Sequence, residues 1–459
     1  MIHMKLTAEK VAGMDIGGFL GEHYACACGK DHFMDMDNIF IESGAINRVA
    51  EVVRNYKSTE PLIIADENTF KVAGEKVAHL LDDAGIKYRT HIFPGKPVLV
   101  PDEKTAGSIL FAIGEKTDLL LAVGTGVIND ITKYVSRRVN IPEVLVATAP
   151  SMDGFVSDTA APTVGNLKSS FPCNLPRTIL GDTDILKDAP EVMILAGFGD
   201  IIGKYSALTD WQLSRIVNDE YYCELTAQIT QDVLDKCVAN IDAMTRREPA
   251  AIKDVMEGLI RTGIAMSYVN NSRPASGSEH HYSHYLEMQY LFQGKEALLH
   301  GTKVGITSII VAKLYETLAN EQPDFDAAIA HAKAFSQTDW ERNVRKYYDS
   351  AAEGVICAAK TDKRNDIDAR IKRIEKIREH WSEIQALAKS AKSTAFIENI
   401  FRRAGAPLRP KDVGIPNELI NDALYIGREV RTRYSIIHLL EDLGLTEKCA
   451  AVIDKFIAE

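Results

Sequence analysis

The chain has 459 residues, of which 46% are hydrophobic and 25% are charged, and its formal net charge is −11. This hydrophobic share is typical of packed globular proteins and excludes a mainly disordered or fibrous chain. The length favours two large domains. The negative charge argues against a basic nucleic-acid-binding surface, while it still allows a local basic pocket for a phosphorylated metabolite.

The cysteines and the N-terminal segment bear on the cellular compartment. Seven cysteines in 459 residues are too sparse for a disulfide framework, so we expect reduced thiols and a cytoplasmic protein. The N-terminal segment lacks the basic start and continuous apolar stretch of a signal peptide. No apolar run approaches about 20 residues, which predicts the absence of a transmembrane helix.

Short apolar strands and helical stretches alternate in the N-terminal part of the chain. This alternation is typical of a parallel sheet that is covered by helices on both faces. We therefore predict an α/β, Rossmann-like domain over residues 1–187. Its predicted strands are 61–65, 86–93, 119–123 and 143–148, and its predicted helices are 71–84, 105–114 and 127–134.

Helical periodicity dominates from residue 188 onward, and it predicts an all-helical domain over residues 188–459. We interpret the charged stretch within 360–400 as a solvated helix face, and the sequence assigns it no further role. The predicted helices are 189–217, 223–246, 250–268, 301–319 and 366–390.

A glycine-containing turn joins a predicted strand to a predicted helix at Gly124, Thr125 and Gly126. Such glycines let the backbone approach a pyrophosphate, and the helix N-terminus offers N–H groups to it. Asn129 departs from the Rossmann G-x-G-x-x-G pattern, and paired glycines also occur in turns for steric reasons alone. Asp66, at the end of an earlier strand, is expected to bind a ribose or to cap the next helix.

Histidines and one aspartate are the candidate metal ligands. His280, His281 and His284 lie within five residues, and His300 follows. His280 and His284 would share one face of a helix, which makes a metal pair a natural hypothesis. Spacing alone does not choose among the four. Asp200 follows two glycines that indicate a close approach of the backbone, and its alternative interpretation is a helix N-cap.

Cys26, Cys28 and His32 form a second group of ligand-type residues near the N-terminus. The pattern C-x-C-x3-H lacks a fourth ligand and does not have zinc-finger spacing. We therefore interpret this segment as a small strand or turn.

Five motifs together resemble the superfamily of iron-containing alcohol dehydrogenases, glycerol dehydrogenases and dehydroquinate synthases. With CACGKDH near the start and RTRYSIIHLL near the end, the pattern looks most like the bacterial AraM-type sn-glycerol-1-phosphate dehydrogenases. The resemblance implies the same two-domain, dehydroquinate synthase-like fold. The motifs are GTGVINDITK (124–133), TAPSMDGFVS (148–157), GFGD (197–200), GSEH (277–280) and HG (300–301).

The resemblance implies a role for each matching residue. Asp200, His280 and His300 would bind a catalytic divalent metal, with zinc expected first and nickel or iron as alternatives. Asp153, Asp200 and His284 would contact the substrate. NAD(H) or NADP(H) would contact Gly124, Thr125, Gly126, Val127, Asp130, Thr148, Ser151 and Ser157, in addition to the Asp66 contact considered above.

The implied reaction is the NAD(P)H-dependent, metal-assisted reduction of dihydroxyacetone phosphate to sn-glycerol 1-phosphate, and its reverse. Lys204, Arg273 and His284 are candidates for binding the phosphate. The alternatives are a glycerol dehydrogenase that acts on an unphosphorylated substrate and a dehydroquinate synthase-like lyase. Thr125 and Thr302 depart from the family pattern, which typically has Gly and Glu there. We expect a homodimer by default.

Overall fold

The computed structural model describes residues 4–5, 7, 10–11, 13–165, 167–168 and 171–458. The chain divides into two compact units, and each unit is built from two stretches of sequence. The first unit comprises Met1–Ile201 and Cys223–Ser272, and the second comprises Ile202–Tyr222 and Arg273–Glu459.

The first unit contains a six-stranded sheet in the order β4-β13-β8-β7-β5-β6, and every neighbouring pair in it is parallel. Strands β5, β7, β8 and β13 are buried almost throughout, as expected when helices cover both faces. In chain order the strands are β1 (Met4–Lys5), β2 (Tyr24–Ala25), β3 (Asp31–His32), β4 (Asn38–Glu42), β5 (Leu62–Asp66), β6 (Arg89–Phe93), β7 (Leu120–Gly124), β8 (Glu143–Ala147), β9 (Thr159–Ala160), β10 (Thr163–Val164), β11 (Leu167–Lys168), β12 (Phe171–Pro172) and β13 (Thr178–Asp182).

Helices follow most strands of the large sheet, and a helical region follows β13. Short 3-10 turns occur at Ile16–Phe19, Ala45–Arg48 and Gly154–Val156, and a π turn occurs at Phe70–Gly74. The α-helices up to residue 272 are α1 (Val49–Asn55), α2 (Glu67–Thr69), α3 (Glu75–Asp83), α4 (Glu103–Ala112), α5 (Gly126–Val139), α6 (Thr183–Leu186), α7 (Glu191–Ile202), α8 (Lys204–Asn218), α9 (Glu224–Ala239), α10 (Ile241–Thr245) and α11 (Pro249–Val269).

The second unit is helical: residues 202–222 and 273–458 contain no strand. The predicted succession of a parallel α/β region and a helical region is therefore confirmed. The remaining helices are α12 (Ser278–Phe292), α13 (His300–Ala319), α14 (Phe325–Lys333), α15 (Gln337–Tyr348), α16 (Ala352–Thr361), α17 (Ile367–Glu379), α18 (Trp381–Ser390), α19 (Thr394–Ala404), α20 (Asn417–Ile426), α21 (Ile436–Asp442) and α22 (Thr446–Ala458), with 3-10 turns at Asp349–Ala351, Pro410–Val413 and Gly427–Val430.

The charged stretch within 360–400 is not simply a solvated face. Arg370 and Arg373 of α17 both bind the buried carboxylate of Asp442, at 3.1 Å and 2.6 Å. Their side chains are only 12% and 25% exposed. The charge pattern therefore fixes α17 against the end of α21, because removing one partner of a buried ion pair leaves an uncompensated buried charge.

The stretch Glu191–Asn218 is 28 residues long and apolar enough to cross a membrane by length and composition alone. Within its most apolar window, 78% of the residues are buried in the protein. This is weak evidence for a membrane span, because the core helix of a soluble protein has the same length and composition.

Gly197 lies where the GFGD motif predicts a close approach of the backbone. A Cβ atom at this position would lie 1.9 Å from the carbonyl oxygen of Pro150. Helix α7 therefore touches the segment that follows β8, and only glycine fits at the contact.

We expect Gly197→Ala to lower the free energy of unfolding by about 3 kcal/mol, because the methyl group overpacks against backbone that cannot rotate away. Gly107→Ala in α4 is the matched control, since a Cβ there meets no atom within 4 Å and should be neutral or slightly stabilising. Urea unfolding of both variants measures the difference. Equal midpoints would contradict the contact with Pro150.

Candidate functional site

Three neighbouring strands end at the same edge of the large sheet. Strand β5 ends at Asp66, β7 at Gly124 and β8 at Ala147, and β7 pairs with both of the others. In open parallel sheets, ligands bind beyond the carboxyl ends of the strands. The segments with most of the predicted cofactor contacts, 124–130 and 148–157, leave the sheet at this edge.

Hydrogen bonds join the turn after β7 to the segment after β8. The Thr148 N–H donates to the carbonyl oxygen of Gly124 at 3.1 Å, and the hydroxyls of Thr125 and Ser151 hydrogen-bond to each other. The Gly126 N–H donates to the Thr125 hydroxyl, which caps α5. Thr125, at the family's middle glycine position, therefore helps to hold this edge together.

Buried Lys133 fixes the path of the segment after β8. Its Nζ donates to the carbonyl oxygens of Gly154, Ser157 and Thr159, at 2.7, 3.1 and 3.4 Å. It also lies 3.2 Å from Oδ1 of Asp130. Burial opposes the charge, but nearby negative groups, first among them Asp130, outweigh it and raise the pKa of Lys133. The family motif includes this lysine, and the structure gives it a positioning role that sequence reasoning missed.

Asp66 caps the helix that follows β5. Its Oδ1 accepts from the N–H groups of Asn68 and Thr69 at 2.8 and 2.9 Å, and its own N–H donates to the Thr69 hydroxyl at 3.1 Å. This is a capping box, the alternative that the sequence left open. A contact between Asp66 and a ribose stays a prediction.

Asp153 and Asp200 meet within the first unit. Asp200 is fully buried, and its Oδ2 accepts from the backbone N–H of Asp153 at 3.0 Å. Because Asp200 lies in the last turn of α7, its interpretation as an N-cap is wrong. A metal-ligand role for Asp200 stays a prediction.

The second unit brings three of the four candidate histidines together. His280 and His284 lie on successive turns of α12, and His300 begins α13. The ring centroids of His280 and His300 are 5.0 Å apart, and those of His284 and His300 are 5.5 Å apart. His281 instead packs edge-on against His438, with centroids 5.6 Å apart. The structure therefore leaves His281 out of the cluster.

The buried side chain of Glu279 orients His280. Its Nδ1 lies 2.7 Å from Oε1 of Glu279. Burial and the charge of Asp210 raise the pKa of Glu279 to about 8. Burial, followed by His300 and Lys204, lowers the pKa of His280 well below its ordinary value. His280 is therefore a neutral imidazole, the form that binds metals, and it would bind one through Nε2 while Oε1 of Glu279 holds its Nδ1.

His284, Glu287 and His300 offer a second set of ligand atoms, which lie within 4.8 Å of one another. Arg431 Nη2 lies 2.8 Å from His284 Nε2. Arginine only donates, so His284 accepts at Nε2 and carries its proton at Nδ1. Sequence reasoning missed Glu287, although its position three residues after His284 on α12 was a usable signal.

Cationic side chains accompany these histidines in the second unit. Arg431 also donates to the Ser276 hydroxyl at 3.3 Å. Burial, followed by Arg431 and Arg273, lowers the pKa of Arg433 to about 9. Arg273 forms an ion pair with Glu220, so its charge already has a partner within the protein and it is a weaker candidate for binding a phosphate. Arg431 was missed as a site residue, although its motif was recognised in the sequence.

The sequence of this chain is similar to sequences of known dehydrogenases. A family model described as iron-containing alcohol dehydrogenase matches residues 40–190. A glycerol-1-phosphate dehydrogenase (NAD(P)+) from Halalkalibacterium halodurans is 36% identical over 325 residues, which cover 70% of this chain and 79% of the relative. A protein of the same name from Geobacillus stearothermophilus is 28% identical over 426 residues, which cover 92% and 96%.

Solved structures with the same fold have low sequence identity to this chain. A probable glycerol dehydrogenase from Sinorhizobium meliloti has a TM-score of 0.60 at 15% identity, covering 92% of this chain and 98% of that one. A glycerol dehydrogenase from Schizosaccharomyces pombe has a TM-score of 0.60 at 16% identity, covering 93% and 90%. At this identity the likeness concerns the fold alone.

Proposed function

The chain belongs to the iron-containing alcohol dehydrogenase family, and we propose that within it the protein is a glycerol-1-phosphate dehydrogenase. It reduces the ketone of dihydroxyacetone phosphate with NADH or NADPH and catalyses the reverse reaction. The observation that carries this proposal is the hydrogen bond between Arg431 and His284 beside His300. This bond joins an arginine, a side chain suited to phosphate, to a cluster of side chains suited to a metal.

We propose that the dinucleotide binds at the carboxyl edge of the sheet. The N-terminus of α5 offers N–H groups for the pyrophosphate, and Lys133 fixes the neighbouring segment. The residues proposed to contact the cofactor are Asp66, Gly124, Thr125, Gly126, Val127, Asp130, Thr148, Ser151 and Ser157. Residues 1–187 would thus form the cofactor domain and contribute Asp153 to the substrate site, and residues 188–459 would supply the metal ligands and the other substrate contacts.

For the metal we propose Asp200, His280 and His300 as ligands. One carboxylate and two imidazoles suit zinc, and they also accept nickel or iron. The neutral state of His280 and its Glu279 support fit this role. When bound, the metal would polarise the substrate carbonyl as a Lewis acid, and the nicotinamide would supply hydride.

The protein's own side chains would then orient the substrate. His284 holds its proton at Nδ1 and can donate it in a hydrogen bond to a substrate oxygen. We propose that Arg431 binds the phosphate, with Lys204 and Arg433 adding positive charge, and that Asp153 contacts the triose. Glu279 keeps the His280 ring in one orientation, which reduces the rearrangement needed during the reaction.

The alternative of a glycerol dehydrogenase has less support. The relatives that are 36% and 35% identical are both named glycerol-1-phosphate dehydrogenases, while the glycerol dehydrogenases match only in fold. A dehydroquinate synthase-like lyase has no support among the relatives described above. We therefore propose a small phosphorylated triose as the substrate and a homodimer as the assembly.

The first prediction concerns the turn after β7. Gly126→Val should weaken NADH binding at least about tenfold, or about 1.4 kcal/mol, because its branched carbon fills the space that a pyrophosphate needs. Gly126→Ala is the control: its Cβ would lie 3.3 Å from the flexible Met152 side chain, so we expect a smaller effect. Fluorescence titration with NADH measures both. An unchanged affinity in Gly126→Val would show that the turn is only structural.

The second prediction concerns the metal ligands. Asp200→Ala, His280→Ala and His300→Ala should each lose one equivalent of divalent metal and nearly all turnover. Glu287→Gln should keep that metal, because we assign Glu287 no ligand role. Elemental analysis of the purified variants measures the metal content. Loss of metal in Glu287→Gln together with retention in His280→Ala would favour His284, Glu287 and His300 as the ligands.

The third prediction concerns the phosphate. The wild type should use dihydroxyacetone phosphate about 100-fold or more efficiently than dihydroxyacetone, because a site built for the dianion leaves its donors unpaired without it. Arg431→Met should narrow this ratio of kcat/KM about tenfold, and His284→Ala should also narrow it while the metal is retained.

Arg342→Met is the charge-matched control for Arg431→Met, because the Arg342 side chain is 71% exposed and pairs with Asp339. It should leave the ratio unchanged. Equal use of the two ketones by the wild type would identify a glycerol dehydrogenase. An unchanged ratio in Arg431→Met would mean that another group binds the phosphate.

A further inference from the structure

The first unit contains a second cluster of metal-ligand side chains. Cys26 and Cys28 lie in the hairpin of β2 and β3, His32 ends β3, and Cys223 comes just before α9. One ligand atom from each residue lies within 4.8 Å of the others. The local spacing offered three ligands, and the fold supplies the fourth from 191 residues beyond His32.

The distances within the cluster match a tetrahedral ion. The sulfurs of Cys26 and Cys223 are 3.8 Å apart, and His32 Nε2 lies 3.6 Å from the Cys28 sulfur and 3.5 Å from the Cys223 sulfur. Ideal tetrahedral zinc, with Zn–S of about 2.3 Å and Zn–N of about 2.0 Å, separates two sulfurs by about 3.8 Å and a sulfur from a nitrogen by about 3.5 Å. A disulfide would require sulfurs about 2.05 Å apart.

His32 is oriented as a metal ligand would be. Its Nδ1 lies 2.8 Å from the carbonyl oxygen of Tyr268, which can only accept, so Nδ1 carries the proton. The lone pair of Nε2 therefore faces the two sulfurs. The ring is fully buried and stacks on the Tyr268 ring with centroids 4.9 Å apart. A backbone carbonyl that fixes the tautomer is a typical outer partner of a metal-bound histidine.

Cys223 contributes its sulfur from the start of a long helix. It is the N-cap residue of α9, a helix of 16 residues, and its side chain makes no capping hydrogen bond. Cys223 is fully buried, whereas Cys26 and Cys28 are partly exposed. The buried side of the cluster is therefore formed by Cys223, and an ion could reach the cluster from the hairpin side, where Cys26 and Cys28 are partly exposed.

We propose that Cys26, Cys28, His32 and Cys223 bind one structural Zn²⁺ ion. Three sulfurs and one nitrogen suit tetrahedral zinc and leave no coordination position for a substrate. Each cysteine releases its thiol proton to solvent as its Zn–S bond forms, and His32 binds in its neutral form. The ion would join the N-terminal hairpin to the start of α9 and, through His32, to the end of α11.

The experiment uses the purified full-length protein, with zinc content from elemental analysis and the ligand shell from zinc-edge X-ray absorption. Wild type and His300→Ala should both show a sulfur-rich shell at about 2.3 Å. Cys28→Ser should lose one equivalent of zinc and this shell. The sulfur signature belongs to this cluster alone, because the proposed active-site ligands contain no sulfur. The result is therefore independent of the proposed function.

Cys357→Ser is the matched control, since this cysteine is exposed and outside the cluster, and it should keep the full sulfur shell. If Cys28→Ser does not fold, Co²⁺ added to metal-depleted wild type should give a thiolate-to-cobalt charge-transfer band. Wild type that binds zinc only through nitrogen and oxygen, or that contains a Cys26–Cys223 disulfide, would overturn the proposal. So would a folded Cys28→Ser that keeps the sulfur shell.

Discussion

Parallel pairing of β5, β7 and β8 is the constraint on which the first unit depends. The strands are aligned so that Leu62 pairs with Leu120, and Gly124 pairs with Ala147. Consequently the chain must leave the sheet repeatedly at the same edge, and irregular loops accumulate there. Their backbone groups still need partners, and the buried ammonium of Lys133 supplies a donor for three carbonyl oxygens. The ammonium of Lys133 thus gives these three carbonyl oxygens the hydrogen bonds that a neighbouring strand would otherwise provide.

In the second unit, a buried carboxylate has the corresponding role. Asp210 accepts from the Ser278 N–H and hydroxyl at 2.6 and 2.5 Å, from the Tyr315 hydroxyl at 2.6 Å and from the Ile436 N–H at 2.8 Å. These bonds join four helices around the start of α12. A Cβ at Gly277 would lie 2.6 Å from Oδ2 of Asp210. The glycine of GSEH is therefore required for packing, and that packing positions His280.

The sequence was sufficient for features with a strong local period. The predicted helix 250–268 corresponds to α11, and four predicted strands correspond to β5, β6, β7 and β8. Strands β4 and β13 were missed, because they pair with each other across about 140 residues of chain. The predicted helix 189–217 is divided at Gly203 into α7 and α8. Periodicity therefore predicts that a helix or strand exists more reliably than it predicts which strand pairs with it or at which residue it ends.

The same distinction between local pattern and distant partner applies to the site residues. His280, His281, His284 and His300 were candidates because histidines are rare and two of them are four residues apart, but only the family resemblance chose among the four. Arg431 and Glu287 were missed although Glu287 follows His284 by three residues, because charged residues are common on solvated surfaces and only the contacts of these two beside His284 distinguish them.

Cys223 is the site residue that the sequence pattern was least able to identify, because it lies 191 residues from His32. Rules of ligand spacing assume that a short loop closes around the ion, and they fail when the closing residue comes from a distant helix. The length of chain between His32 and Cys223 makes such a closure costly in entropy for an unfolded chain. In the folded protein, Tyr268 of α11 holds His32 in place through its carbonyl oxygen. A metal site of this kind would stabilise a fold that other interactions have already assembled, rather than direct its assembly.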